Sequence, residues 1–329
     1  MMPRRPMPDD AESHSAPGAG QTWLVTFVGT GGPSNPSRRP PCVHLTLPER
    51  RYLIDAGDGL CHGMAACHVL GVPDAVMLTS LDTHRIAGLL ALADFAARLP
   101  NAKPLRVIGM QGAQDAVDLL LRVAGDTVPR PRVTEVGPGA AFWEGGIRVR
   151  VAICEARQGQ AAVYSFEEPA LPGHIDVERA REHGIQGAEF GRLQRGETIR
   201  GITLEDVSWK RRQGRKLVVA GGGRPVKDAE GMICGADVAV FCAPQMDEML
   251  HVAQHQSMLT GWQAAALAAR CGVGMVCLTQ VAPSGGYMAY RLEAAQFHDN
   301  VMIPADGDVI EVPLLEKGRP VLMTRQRAE

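Results

Sequence analysis

One recurring junction constrains this chain more than any other feature: an apolar run of strand length that breaks at once into glycine or polar residues. It appears in "TWLVTFVGTGG", "RYLIDAGDG", "AVMLTS", "KLVVAGGG", "ADVAVFCA" and "GMVCLTQ", spread over both halves of the sequence. Short apolar runs bounded by turn residues read as buried strands. Their ends place loops at 29–33, 55–59, 80–85, 221–225 and 280–286, where α/β scaffolds carry binding and catalytic groups. Between them, "HRIAGLLALADFAARL" sets Ile86, Leu89, Leu90 and Phe95 at helical spacing, and "GAQDAVDLLLRVAG" and "LTGWQAAALAARCG" read as further helices. Strands interspersed with helices in both halves predict an α/β (α+β) sandwich, two sheets face to face with helices outside.

The 329 residues, 45% of them hydrophobic, suffice for a substantial core. A formal charge of -2 excludes bulk attraction to nucleic acid, so only local basic patches could serve that end. Residues 1–20 are rich in Pro, Ser and charge and lack the apolar stretch of a signal peptide, which predicts a disordered tail. One domain is expected over 21–313, with 314–329 as a C-terminal tail without clear signal. No apolar run is long enough to span a bilayer. The eight cysteines are scattered without a C-x-x-C pair, the pattern of reduced thiols in a cytoplasmic protein. "VGTGG" and "AGGG" lack nucleotide-loop spacing and read as tight turns.

In order along the chain, "FVGTGGPSNPSRRP", "LIDAGDG", "GHIDVERAREHGI", "GRLQRGETI", "LEDVSWKRRQGRKLVVAGGGRP" and "ADVAVF" resemble the landmarks of ribonuclease Z, a family of transfer-RNA 3′-end endonucleases. The resemblance runs from Phe27 to Tyr287. It implies the metallo-β-lactamase αββα sandwich of two mixed sheets flanked by helices, a homodimer, and two zinc ions at one edge. It also implies an arm that grips transfer RNA, here an insertion at about 170–200 whose frame is "GHIDVERAREHGIQGAEFGRLQRGETI". The family's Pro-Gly-Pro turn in that arm is represented only by "QGA" at 186–188.

The family's metal loop, T-H-x-H-x-D-H, aligns with "TSLDTHR". Its ligand positions are therefore held by Ser80, Asp82, His84 and Arg85. Arg157 stands where a histidine precedes a Gly-Tyr pair, and Gly222 replaces the aspartate of G-D-T-R-P. Gln280 replaces the histidine after the last strand, and Phe241–Cys242–Ala243 stand for H-E-A. Met258 falls on the histidine of H-S-T by gapless counting, although a three-residue gap would substitute His255. Closely spaced imidazoles and carboxylates let one turn feed two Zn²⁺ ions and activate a bridging water. Ser, Arg, Gly and Gln cannot rebuild that centre, and a permanent guanidinium cation repels a metal ion. No zinc or other cofactor, and no catalytic residue of the family mechanism, is expected.

Other chemistries stay open. Asp82, His84 and His62, with Cys61, Cys154 and Glu155 on neighbouring segments, could hold a single metal in a divergent phosphodiesterase or RNA-processing hydrolase. Cys154–Glu155 or Asp82–His84 could instead supply metal-free nucleophilic or acid–base chemistry. Arg85 and Arg157 are expected to face the old pocket, either neutralising Asp82 or receiving a phosphate, with Asp82 and His84 beside them as ligand-binding candidates. "KRRQGRK" at 210–216 is a candidate RNA contact. His251 and His255, one helical turn apart, have a spacing that can bind metal but no evident third ligand, and read as a partly exposed helix face. The leading expectation is a pseudoenzyme: a non-catalytic binding, scaffold or regulatory protein with a protein partner or an RNA or phosphate ligand.

Overall fold

Burial with a period of two organises the strands. Trp23, Val25 and Phe27 point one way in the first strand, and Leu53, Val76, Leu78 and Val107 point the other way in its neighbours. The computed structural model describes residues 22–33, 35–69, 71–100, 103–124, 128–157, 159–170, 173–209, 213–283, 286–314 and 318–323. The expected N-terminal tail, part of the 210–216 basic run and the last six residues lie outside that description.

The first sheet is built from β1 (Trp23–Gly29), β2 (Cys42–Thr46), β3 (Arg51–Ile54), β4 (Ala75–Met77), β5 (Arg106–Gly109) and β6 (Arg132–Glu135). The second sheet holds β7 (Ala141–Glu144), β8 (Ile147–Ala156), β9 (Gly159–Glu167), β10 (Lys216–Ala220), β11 (Val238–Cys242), β12 (Met275–Thr279) and β13 (Val301–Met302). The chain then returns through β14 (Val309–Val312) and β15 (Val321–Met323) to the first sheet, giving the orders β15-β14-β1-β2-β3-β4-β5-β6 and β13-β12-β11-β10-β9-β8-β7. In each sheet antiparallel pairs give way to parallel ones, at β3 and at β10. Both sheets are mixed.

Between the sheets lies the central core, where the ring centroids of Tyr52 and Phe166 stand 5.6 Å apart. The opposite faces are covered by helices. Against the first sheet lie α1 (Leu60–Ala66), α2 (Thr83–Ile86), α3 (Leu89–Ala97) and α4 (Ala113–Ala124). After α5 (Val177–Glu182) and α6 (Glu189–Gln194), the chain adds α7 (Lys227–Ile233), α8 (Leu250–His255), α9 (Gly261–Arg270) and α10 (Tyr287–Ala294) on the second half. Helix α9 starts from a capping box in which Thr260 and Gln263 satisfy each other's backbone N–H. No described helix is long and apolar enough to cross a membrane.

Two local outcomes differ from the sequence expectation. The helix expected from His84 onward is two helices, α2 and α3, broken at Gly88. A Cβ at Gly88 would stand 2.1 Å from the Gly57 carbonyl oxygen, so backbone contact rather than periodicity decides that position. The segment after Pro313 is not featureless, because Val321–Met323 pairs antiparallel with β14. Three exposed residues are too few to show a strand signal.

The chain divides into two compact units, one comprising Gly20–Glu168 with Gly214–Glu329 and the other centred on Pro169–Gln213. The smaller unit, polar in sequence, still gathers a core of Ala180, Ile185, Leu193, Ile199 and Val207. Its helix α5 is capped by Asp176, whose carboxylate accepts from the backbone N–H of Glu178 and Arg179.

Candidate ligand pocket

Strand ends from both sheets converge at one edge of the larger unit. The backbone N–H of Ala162 donates to the Thr79 carbonyl at 2.7 Å, and the N–H of Gly221 donates to the Ala162 carbonyl at 3.0 Å. Tyr164 Oη donates to the Leu78 carbonyl at 2.8 Å. These bonds tie the end of β4 to the second sheet and fix the loop that carries residues 80–85.

A buried polar cluster lies there. Arg85 is 2% exposed and Asp55 is 3% exposed. Arg85 Nη1 donates to Asp55 Oδ2 at 2.5 Å and to Thr79 Oγ1 at 2.8 Å. Its Nη2 donates to Gln280 Oε1 at 3.0 Å and lies 3.5 Å from Cys242 Sγ. Asp55 also accepts from Thr79 N–H and Oγ1, both at 2.7 Å. Burial works against the Arg85 charge, but the Asp55 carboxylate outweighs it and raises the guanidinium pKa. The Cys242 thiol is pushed up by burial, with Arg85 pulling the other way.

Asp55 and Gln280 both adopt left-handed backbone conformations, at φ 63° and 61°. For a residue with a Cβ this costs on the order of 1–2 kcal/mol. Aspartate tolerates it better than glutamine. The Arg85 network holds both side chains in place.

Gly222 closes the cluster. A Cβ there would meet Met258 Cε at 2.9 Å, Arg85 Nη2 at 3.3 Å and Cys242 Sγ at 3.6 Å. Met258 thus packs against Gly222, whereas His255 is exposed on α8.

In front of this cluster opens a cavity of about 980 Å³, lined among others by Asp82, His84, Arg157, Gly222, Met258 and Gln280. Asp82 is not Arg85's partner. Its carboxylate accepts from Ser80 Oγ at 2.6 Å, and its own backbone N–H points back to that oxygen at 3.3 Å. The expected ion pair is therefore corrected to Asp55. A buried guanidinium needs a partner that is equally dry, and Asp82 is only partly buried. Arg157 does not pair with Asp82 either. It is exposed at the turn after β8, with no hydrogen bond or ion pair among the described residues. The His84 pKa is lowered by burial first and by Arg85 second, which keeps its imidazole neutral at pH 7.

The remaining candidates are dispersed. His62 is exposed on α1, Cys154 is buried with its thiol pushed up by burial, and Glu155 is exposed; none of them lines the cavity. Among the described residues, no group of three or more His, Cys, Asp or Glu is arranged to hold a metal ion. Two zinc ions do not fit the residues present. The strand-end cluster offers a permanent buried cation at Arg85, no side chain at Gly222 and a thioether at Met258.

Asp55 was not among the candidates drawn from the sequence. Its signal was a carboxylate ending an apolar strand immediately before Ala56 and Gly57, a place where a buried charge must find a partner.

A ribonuclease Z from Halorubrum lacusprofundi is 30% identical over 303 residues, covering 88% of this chain and 97% of that protein. The chain belongs to the ribonuclease Z family. Another ribonuclease Z, from Gemmatimonas aurantiaca, is 26% identical over 306 residues, covering 89% of this chain and 97% of its own. No family model matches. Among solved structures, the short form of human tRNase Z superposes with a TM-score of 0.64 at 17% identity, covering 88% of this chain and 99% of its own. The fold is therefore that of the metallo-β-lactamase proteins. In this chain an arginine and its aspartate occupy the centre of the strand-end cluster.

Proposed function

We propose that this chain is a non-catalytic member of the ribonuclease Z family that uses the retained pocket to bind a phosphate-bearing ligand, as a scaffold or regulatory protein without a zinc cofactor. The observation that carries this reading is the Arg85–Asp55 pair, buried on both sides and bonded to Thr79 and Gln280. A carboxylate neutralised by a fixed guanidinium has no charge left to offer a metal ion. Arg157, exposed on the cavity wall, supplies a forked donor suited to phosphate oxygens. A cytoplasmic location and a homodimeric state belong to the same proposal.

Zinc analysis of the purified protein, together with cleavage of a transfer-RNA precursor, tests it. No stoichiometric zinc and no cleavage are expected. About two zinc ions per chain with cleavage would overturn it. Phosphate or short RNA should bind in the pocket, and Arg157→Ala should weaken that binding about tenfold, the order of one charge-assisted contact.

A second reading, a divergent phosphodiesterase or RNA-processing hydrolase with a single metal or none, rests on Asp82 and His84 lining the same cavity. Titration with Zn²⁺ or Mn²⁺ separates the two. Saturable binding abolished by His84→Ala, with hydrolysis of a phosphodiester, would favour the second.

A further inference from the structure

We propose that Cys234 and Cys271 form a reversible surface disulfide, a redox site separate from the pocket. Their Sγ atoms lie 2.8 Å apart. Merely packed atoms sit about 3.5–4.0 Å apart, and a disulfide bond measures about 2.05 Å. The main chain is already in register for closure. The Gly235 N–H donates to the Cys271 carbonyl at 2.7 Å, and the two cysteines are the C-terminal caps of α7 and α9. Little backbone movement separates the dithiol from the bond.

Access sets the order of events. Cys234 is exposed and Cys271 half-buried, so a reagent in solution meets Cys234 first. Lys216 Nζ donates to the Cys234 carbonyl at 2.8 Å, and its ammonium feels both sulfurs. The thiolate is the nucleophile in the exchange. The Cys271 thiol is pushed up to about 12 by burial and then by its hydrogen bond with Cys234. That second contribution ends once Cys234 is derivatised, which eases the second deprotonation.

The oxidant is a low-molecular-weight disulfide of the glutathione class. Cys234 thiolate attacks one of its sulfurs, forming a mixed disulfide and releasing one thiol. Cys271 thiolate then attacks Cys234 Sγ and expels the second thiol. Two protein thiols lose two electrons and two protons, and one small disulfide becomes two small thiols. The bond ties the far ends of α7 and α9, the helices that follow the loops carrying Gly222 and Met258. Oxidation should therefore firm one wall of the larger unit.

The full-length protein is equilibrated in glutathione buffers of graded redox ratio, alkylated, digested and mapped. Oxidised samples should lose two alkylatable thiols, yield a cross-linked peptide joining residues 234 and 271, and recover fully with dithiothreitol. Their thermal midpoint should rise by several degrees. Cys234→Ser and Cys271→Ser should each lose the cross-link, and wild-type mapping decides alone if a variant does not fold. Full alkylation of both cysteines in excess oxidised glutathione would overturn the proposal. So would a glutathione adduct that persists on Cys234 without resolution by Cys271.

Discussion

Arg85 and Asp55 pair at 2.5 Å in a place where neither side chain reaches water, and Thr79 bonds to both. An isolated buried charge is far more costly than a paired one, so the two residues are energetically one unit. Arg85→Met should destabilise the protein by about 3–5 kcal/mol, because it strands the Asp55 carboxylate. Asp55→Asn keeps the left-handed backbone and the acceptor for Thr79 N–H, and removes only the charge. The double variant should be more stable than the sum of the single losses by at least about 1 kcal/mol. Urea unfolding of the four proteins measures this coupling. Strict additivity would show that the pair does not act as a unit.

Gly88 and Gly222 both lie in tight surroundings, yet they should respond differently to alanine. At Gly88 the added Cβ would meet a main-chain oxygen at 2.1 Å, with Leu60 Cβ at 2.8 Å. Neither neighbour can swing away, so Gly88→Ala should cost about 3 kcal/mol or more, the upper range for overpacking. At Gly222 the nearest atom is Met258 Cε, the end of a flexible side chain that can change rotamer. Gly222→Ala should cost about 1 kcal/mol or less. Denaturant midpoints of the two variants, compared under one set of conditions, should differ clearly.

Much of this fold was legible because strands and glycine junctions write themselves into local sequence. The alternation that buries Trp23, Val25 and Phe27 is visible in the run "WLVTF", and "VVAGGG" and "AVMLTS" mark strand ends directly. The cavity-lining positions Gly222 and Gln280 were legible for the same reason, since each closely follows a strand end. Partnership was not legible. Asp55 and Arg85 are 30 residues apart, and Arg85 and Gln280 are 195 apart. No local pattern says that Arg85 turns inward to Asp55 rather than across to Asp82, because the choice depends on which carboxylate is dry. The break at Gly88 was hidden likewise, since it is imposed by the main chain of residues 56 and 57.

Glu168 and Arg215 form a second buried pair, at the points where segment 169–213 leaves and rejoins the larger unit. Arg215 Nε and Nη2 donate to the two carboxylate oxygens of Glu168 at 2.9 and 2.8 Å, and the guanidinium lies 4.8 Å from the Trp23 ring centroid. A forked, dry geometry of this kind is the case in which breaking one partner matters most. Glu168→Ala should lose about 3–5 kcal/mol of stability. Arg98→Ala, which removes an exposed pair with Asp94 that water already screens, should leave the unfolding midpoint almost unchanged. Equilibrium unfolding of both variants tests the contrast.

His44 gives the molecule a pH dependence whose sign follows from burial. It lies within β2, and burial, reinforced by Arg51, lowers its pKa from 6.5 to about 4. In the unfolded chain the imidazole takes a proton near pH 6.5, while the folded chain refuses it until about pH 4. Between those values the unfolded state binds more protons, so stability falls as the pH falls. The stabilisation is complete above pH 6.5 and is lost progressively down to about pH 4. The loss amounts to about 3 kcal/mol, because each tenfold weakening of proton affinity on folding is worth roughly 1.4 kcal/mol. Carboxylates elsewhere add their own acid dependence, so the informative quantity is the difference between wild type and His44→Gln. Urea midpoints of the two proteins should run parallel above pH 7 and converge or cross as the pH drops from 6.5 to 4. Curves that stay parallel across that window would show that His44 titrates alike in both states.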